Sequence, residues 1–292
     1  MPQTHKPFPL PLVAFGPGSQ AEDEAMDFLP MPRDMHTYRA PPLPEPEALA
    51  SHGAALEALH QVLALLRGQL NGTGDSATAI DISALGDADR ALVNQVLGEG
   101  EVAVQVTGER GLQAQESVFA GIWRVLLRDG GAIVRDTIEV GAFPRGAAAA
   151  ARDDGLPMPP LPAIHPPGTM NAPAVLEELR EHSMAWAADP DGSAPHVINL
   201  TLLPLAAADS EYFESRLGRG RVLVLSRGYG NCRIADTQVA GVWRVTYFNS
   251  SDIVILDTLE VGNVPEVALA ARQDLEDSAE RLQEVLEWVQ TS

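Results

Sequence analysis

A chain of 292 residues with 45% hydrophobic residues has enough apolar material for a substantial core. Its formal charge of −20 opposes nonspecific association with nucleic acid or anionic membrane surfaces. Nineteen of its twenty basic residues are arginine, and Lys6 is the only lysine, which excludes a phosphate-binding loop of the G-x-x-x-x-G-K type and disfavours Schiff-base chemistry.

The chain opens on a proline-rich stretch: eleven of its twenty-three prolines lie in residues 1–46. Proline removes a backbone donor and favours extended chain, so 1–46 reads as an extended arm. Its apolar patch after Lys6 is broken by Pro7, Pro9, Pro11 and Pro17, unlike the continuous apolar region of an export signal. No run approaches the roughly 18 apolar residues of a membrane span, so the expectation is a cytoplasmic protein without stable membrane insertion.

Residues 47–152 form a first unit. Leu49, Leu56, Leu59, Leu63, Leu66 and Leu70 mark one stripe of a helix. A short strand at "IDIS" and a second helix around Asp87–Leu97 follow, and then β-rich segments connected by the Asp-Gly turn of Arg128–Gly131. Seven further prolines between Pro157 and Pro173 identify 153–171 as a linker.

Residues 172–292 repeat the first unit. "AGIWRV" at Ala120–Val125 matches "AGVWRV" at Ala240–Val245, "LGEGEV" from Leu97 matches "LGRGRV" from Leu217, "DTIEVG" matches "DTLEVG", and "IDIS" matches "INLT". The expected fold is therefore α+β: two tandem repeats, each helix-strand-helix followed by an antiparallel β-meander, with a C-terminal helix. Gly98 and Gly218 fall at helix C-caps. Trp123 and Trp243 belong to the core, with the following arginines Arg124 and Arg244 directed across the strand to the other face. The last helix is expected to begin after Asn263, with Pro265 in its first turn. It packs on its own sheet or shows its acidic side to a partner.

Cys232 is the chain's single cysteine, which excludes an internal disulfide and any all-cysteine metal or cluster site within one chain. It lies in "SRGYGNCRI", where Gly228 and Gly230 flank Tyr229 and where Asn231 and Arg233 adjoin the thiol. Three readings are open: buried packing, a nucleophile activated by Arg233, or a partner's contact surface. Its counterpart in the first repeat is Leu112, so the framework accepts an apolar residue there. Tyr229, Asn231, Cys232, Arg233 and Arg244 are the partner-binding candidates, a mixture of ring, amide and cation that suits protein recognition. The seven histidines show no H-E-x-x-H pair and none clusters with the cysteine at zinc-ligand spacing, so no metal or cofactor is expected. The Gly pairs at Gly98, Gly218 and Gly228 do not complete a dinucleotide fingerprint. The carboxylate-rich surface serves solubility or attracts a basic partner segment.

The stretch from "SRGYGNCRI" through "VWRVTYFNSSDIVILDTLEVGNVPEVALAA" resembles the C-terminal region of the HupH/HyaF/HoxQ family of hydrogenase expression proteins, and "FGPGSQAEDEAMDFLPMP" resembles its N-terminal segment. The resemblance implies a non-catalytic accessory role in maturing an uptake [NiFe] hydrogenase. Its implied partners are the iron–sulfur small-subunit precursor, bearing a basic twin-arginine leader, and a thioredoxin-like maturation protein. A Cys232-dependent enzyme or cluster carrier, and a scaffold for other maturation proteins, are the alternatives.

Overall fold

The structure is a computed structural model that describes residues 52–72, 79–227 and 231–291, with side chains given through residue 288. The arm 1–46 and Tyr229 lie outside the described residues. The fold is α+β, built on one ten-stranded antiparallel sheet.

In the first half, helix α1 (Gly53–Leu70) leads to strand β1 (Ala79–Asp81) and helix α2 (Asp87–Leu97). Strands β2 (Val102–Val106), β3 (Arg110–Glu116), β4 (Ile122–Asp129) and β5 (Ala132–Val140) then run as a meander. A helix of nine residues, α3 (Arg145–Asp153), closes this half. The same order recurs as α4 (Ala172–Ala188), β6 (His196–Asn199), α5 (Ala207–Leu217), β7 (Val222–Ser226), β8 (Asn231–Asp236), β9 (Val242–Phe248) and β10 (Val254–Val261). The final helix, α6, spans Arg272–Thr291. The strand order is β1-β5-β4-β3-β2-β7-β8-β9-β10-β6, so β2 and β7 join the halves in mid-sheet and the short β1 and β6 end it.

The helix ends follow local chemistry. Gly98 and Gly218 cap α2 and α5 with φ of 58° and 60°, a region that glycine enters without a Cβ clash. Asp209 is fully buried, and its carboxylate accepts the backbone N–H groups of Met170, Asn171, Ala172 and Ala206. Burial opposes its ionisation, but these four donors outweigh it and hold the carboxyl below the ordinary carboxylate range. One side chain thereby ties the starts of α4 and α5 together.

Strand alternation divides the apolar residues between two faces. One face of the first half, with Ile122, Ile138 and Val140, receives α1, α2 and α6. The same face of the second half packs Leu259 and Val261 against Leu176, Leu179, Tyr212 and Phe213 of α4 and α5. The opposite face gathers Val104, Leu112, Trp123, Val224, Ile234 and Trp243 under Phe143 and Ala147. There α3 covers the central strands, and the Phe143 ring meets Trp123 edge-on at 6.0 Å.

Two expectations are corrected. The segment after Asn263 forms only a short 3-10 turn at Glu266–Ala268, and the final helix starts at Arg272. Nor does α6 pack on its own half. Leu275, Ala279, Leu282 and Leu286 join the core formed by α1 and α2, Arg272 donates to the Leu70 carbonyl, and the Arg281 guanidinium sits 5.2 Å from the centre of the Phe119 ring.

Candidate functional site

Of the candidate residues, Asn231, Cys232 and Arg233 lie on β8 and Arg244 on β9, and the alternation of β8 separates the first three. Asn231 and Arg233 share one face and are half-buried, whereas Cys232 and Ile234 point into the core, 4% and 0% exposed. The strand pairing sets Cys232 beside Tyr247, and Leu112 occupies the matching place beside Leu127. Burial pushes the Cys232 thiol up to about 12, and the same cause moves the Tyr247 hydroxyl up to about 12. A thiol in that state is neither a ready nucleophile nor an exposed contact. Of the three readings, buried packing is the one its geometry fits, and Cys232 is withdrawn as a partner contact.

Arg244 is engaged within the fold. Its Nε and Nη2 reach the two oxygens of Asp257 at 3.0 and 2.7 Å, a forked pairing. Arg124 repeats the arrangement on Asp136, at 3.2 and 2.8 Å, in the first half. The tryptophan-arginine motif thus builds core on one face and an ion pair on the other. Arg233 lies near this pair. Burial first, and then repulsion by Arg244 and Arg219, lowers its guanidinium to about 10.

At both ends of the sheet the last meander strand outruns its short neighbour. β1 pairs with β5 only at Thr137–Glu139, and β6 pairs with β10 only from Thr258 onward. Among the described residues, 132–135 and 254–256 extend beyond these pairings, although the turn Leu200–Leu202 continues beside β10, where the Asp257 N–H donates to Thr201 Oγ1. They carry Ile133, Val134, Val254 and Ile255, which are 49–60% exposed, and Ile253 adjoins them at 62%. Large exposed aliphatics on open strand ends are the surface that recruits a further extended chain.

A third cluster joins residues that sequence spacing left unconnected. Glu178 and His182 are one turn apart on α4, and His196 begins β6. The rings of His182 and His196 stack at 3.5 Å with an interplanar angle of 5°, and His196 Nε2 lies 2.7 Å from Glu178 Oε1. The i, i+4 spacing of Glu178 and His182 was readable in the sequence. The approach of His196 required knowing that the edge strand runs beside α4.

A model of the HupH hydrogenase expression protein C-terminal conserved region matches residues 54–155 and again residues 169–289. The chain is 48% identical over 281 residues to the hydrogenase expression/formation protein HupQ of Azotobacter chroococcum, covering 94% of this chain and 95% of that protein. It is 46% identical to HoxQ of Cupriavidus necator over 283 residues, covering 97% and 98%. It is also 46% identical to HupH of Rhodobacter capsulatus over 287 residues, covering 97% and 98%.

Proposed function

The chain belongs to the HupH family of hydrogenase expression proteins, and from that premise we propose that it is a non-catalytic assembly chaperone in hydrogenase maturation. Its client is the iron–sulfur small-subunit precursor before export, handled in the cytoplasm together with a thioredoxin-like maturation protein.

The observation that carries this reading is the pair of open strand ends bearing Ile133, Val134, Val254 and Ile255. An incompletely folded client offers extended apolar segments, and a strand end can hold them through backbone hydrogen bonds until the client's own core forms. The chain's overall charge of −20 supports the choice of client, since a basic leader is drawn to an acidic protein and the encounter is accelerated. No helix among the described residues is long and apolar enough to cross a membrane.

A Cys232-dependent reaction or transient cluster carriage is the competing reading. It requires an accessible thiolate, and the burial of Cys232 opposes both conditions.

The test is capture of purified, leader-bearing small subunit by the full chain, compared with the Val134→Lys and Ile255→Lys variants. Binding that weakens by about tenfold or more in both variants supports the reading. Binding only to other maturation proteins identifies a scaffold instead. Failure to recover any small-subunit precursor from cells making the hydrogenase removes the proposal.

A further inference from the structure

We propose that Glu178, His182 and His196 form a binding site for one divalent transition-metal ion of the zinc type. Each residue offers one donor atom, and the three atoms all lie within 4.8 Å of one another. Around a tetrahedral ion with ligand bonds of about 2.0–2.2 Å, such donors stand roughly 3.3 Å apart. The distance to close is thus within the reach of side-chain rotation.

The two elements bring different parts of the site. Helix α4 sets Glu178 and His182 on one face through their i, i+4 spacing. The loop 189–195 then turns the chain back so that β6 opens with His196 beside that face. In the stacked arrangement the lone pairs of the two imidazoles run side by side, so binding turns the rings out of the stack until they converge. Glu178 already touches His196, and its carboxylate needs only to share itself with the ion.

The donor set also selects the ion. Two imidazoles and one carboxylate favour zinc and its neighbours over magnesium or calcium, which prefer all-oxygen surroundings. Three protein ligands leave a fourth position for water or for a donor from a bound partner. The adjoining Glu181 and the overall charge of −20 favour a cation's approach.

The repeat shows that the sequence pattern does not require a histidine at the position of His196. The match of Ile80 to Ile198 sets Thr78 opposite His196 in the sequence, so the first half lacks the third ligand. An ion here links α4 to the strand that ends the sheet. It would therefore stiffen the edge beside Val197, which is 54% exposed.

The experiment is calorimetric titration of the full-length, metal-free chain with Zn²⁺, followed by thermal melting. One equivalent is taken up, with a rise in Tm. His182→Ala and His196→Ala each weaken uptake by at least about tenfold and abolish the Tm rise, while His60→Ala changes neither. Co²⁺ supplied in place of Zn²⁺ gives the visible bands of a low-coordinate, nitrogen-ligated ion in the wild type only. Circular dichroism establishes that the variants are folded. No saturable uptake by the wild type, or unchanged uptake by the His182→Ala/His196→Ala double variant, overturns the proposal.

Discussion

Val104 stands directly opposite Val224 where β2 pairs with β7, and the 120-residue offset that carries Leu97 onto Leu217 also carries Val104 onto Val224. The neighbouring pairs obey the same symmetry: Val102 faces Ser226, and their counterparts Val222 and Val106 face each other. A local two-fold axis therefore passes between the two valines. The halves meet as two copies of one surface, an isologous interface of the kind that joins homodimers, held here within one chain.

This geometry predicts equal effects at the seam. Both side chains are fully buried, so Val104→Ala and Val224→Ala should each destabilise the protein by about 2 kcal/mol. Because the two side chains share one face of adjacent strands, the double variant should depart from additivity by about 0.5 kcal/mol or more. Because α6 of the second half completes the core of the first, urea unfolding followed by circular dichroism should show one transition. Two separated transitions would show that the halves fold independently.

The ion pairs behind the tryptophans give a graded prediction. Asp136 and Asp257 retain 9% and 17% side-chain exposure, so removing either arginine leaves a poorly hydrated carboxylate. Arg124→Ala should destabilise by about 3 kcal/mol and Arg244→Ala by somewhat less, because Asp257 keeps more contact with water. Lysine cannot supply two parallel N–H donors, and Arg244→Lys should recover only part of the loss. Thermal melting of the three variants gives the order. If Arg244→Ala leaves Tm unchanged but abolishes client capture, the side chain is a recognition residue and not a strut.

What could be read from the sequence was periodicity, turns and internal matches. The alternation of "NCRIAD" already put Cys232 on the side of Ile234, and its partner Leu112 pointed to an apolar site. The α+β order and both glycine caps followed from similarly local signals. Partnership did not. The stripe on α6 shows which side is buried but not against what, and the chain uses it to cover the opposite half. Helix α3 was missed because "RGAAAAARD" has no long apolar stripe; alanine propensity and its seat over the central strands hold it. Nor does sequence spacing reveal a site assembled from a helix and an edge strand, as at His182 and His196.

Cys232 should behave as a buried apolar residue. With its thiol pushed up to about 12, alkylation of the native protein by iodoacetamide at pH 8 should proceed far more slowly than in urea. Cys232→Ala should leave client capture and hydrogenase maturation intact while reducing stability by about 1 kcal/mol. Rapid native labelling, or loss of maturation in a folded variant, would restore the thiol as a functional group.

The last prediction concerns pH and joins two matched carboxylates, Glu116 and Asp236, each 8% exposed at the end of its meander's second strand. Burial raises Glu116 from its ordinary 4.5 to about 7, although the Gly121 N–H donates to it at 3.0 Å. Burial likewise raises Asp236 from 3.8 to about 6 against the donation of Val222 N–H. The folded chain thus holds protons that the unfolded chain has released, so stability is greatest at low pH for these groups. It declines from the unfolded values through about 6 for Asp236 and about 7 for Glu116. For Glu116 alone the loss is on the order of 3 kcal/mol, from its shift and a value of about 1.4 kcal/mol per pH unit. Glu116→Gln keeps an acceptor for Gly121 and removes the titration. Its urea midpoint should therefore fall less between pH 5 and 8 than that of the wild type, with Asp236→Asn flattening the lower part of the range. Asp209 has the opposite sign: its depressed carboxyl contributes stability above the ordinary 3.8 that is lost on acidification. Parallel pH profiles for wild type and Glu116→Gln would show that Glu116 does not hold a proton in the folded chain.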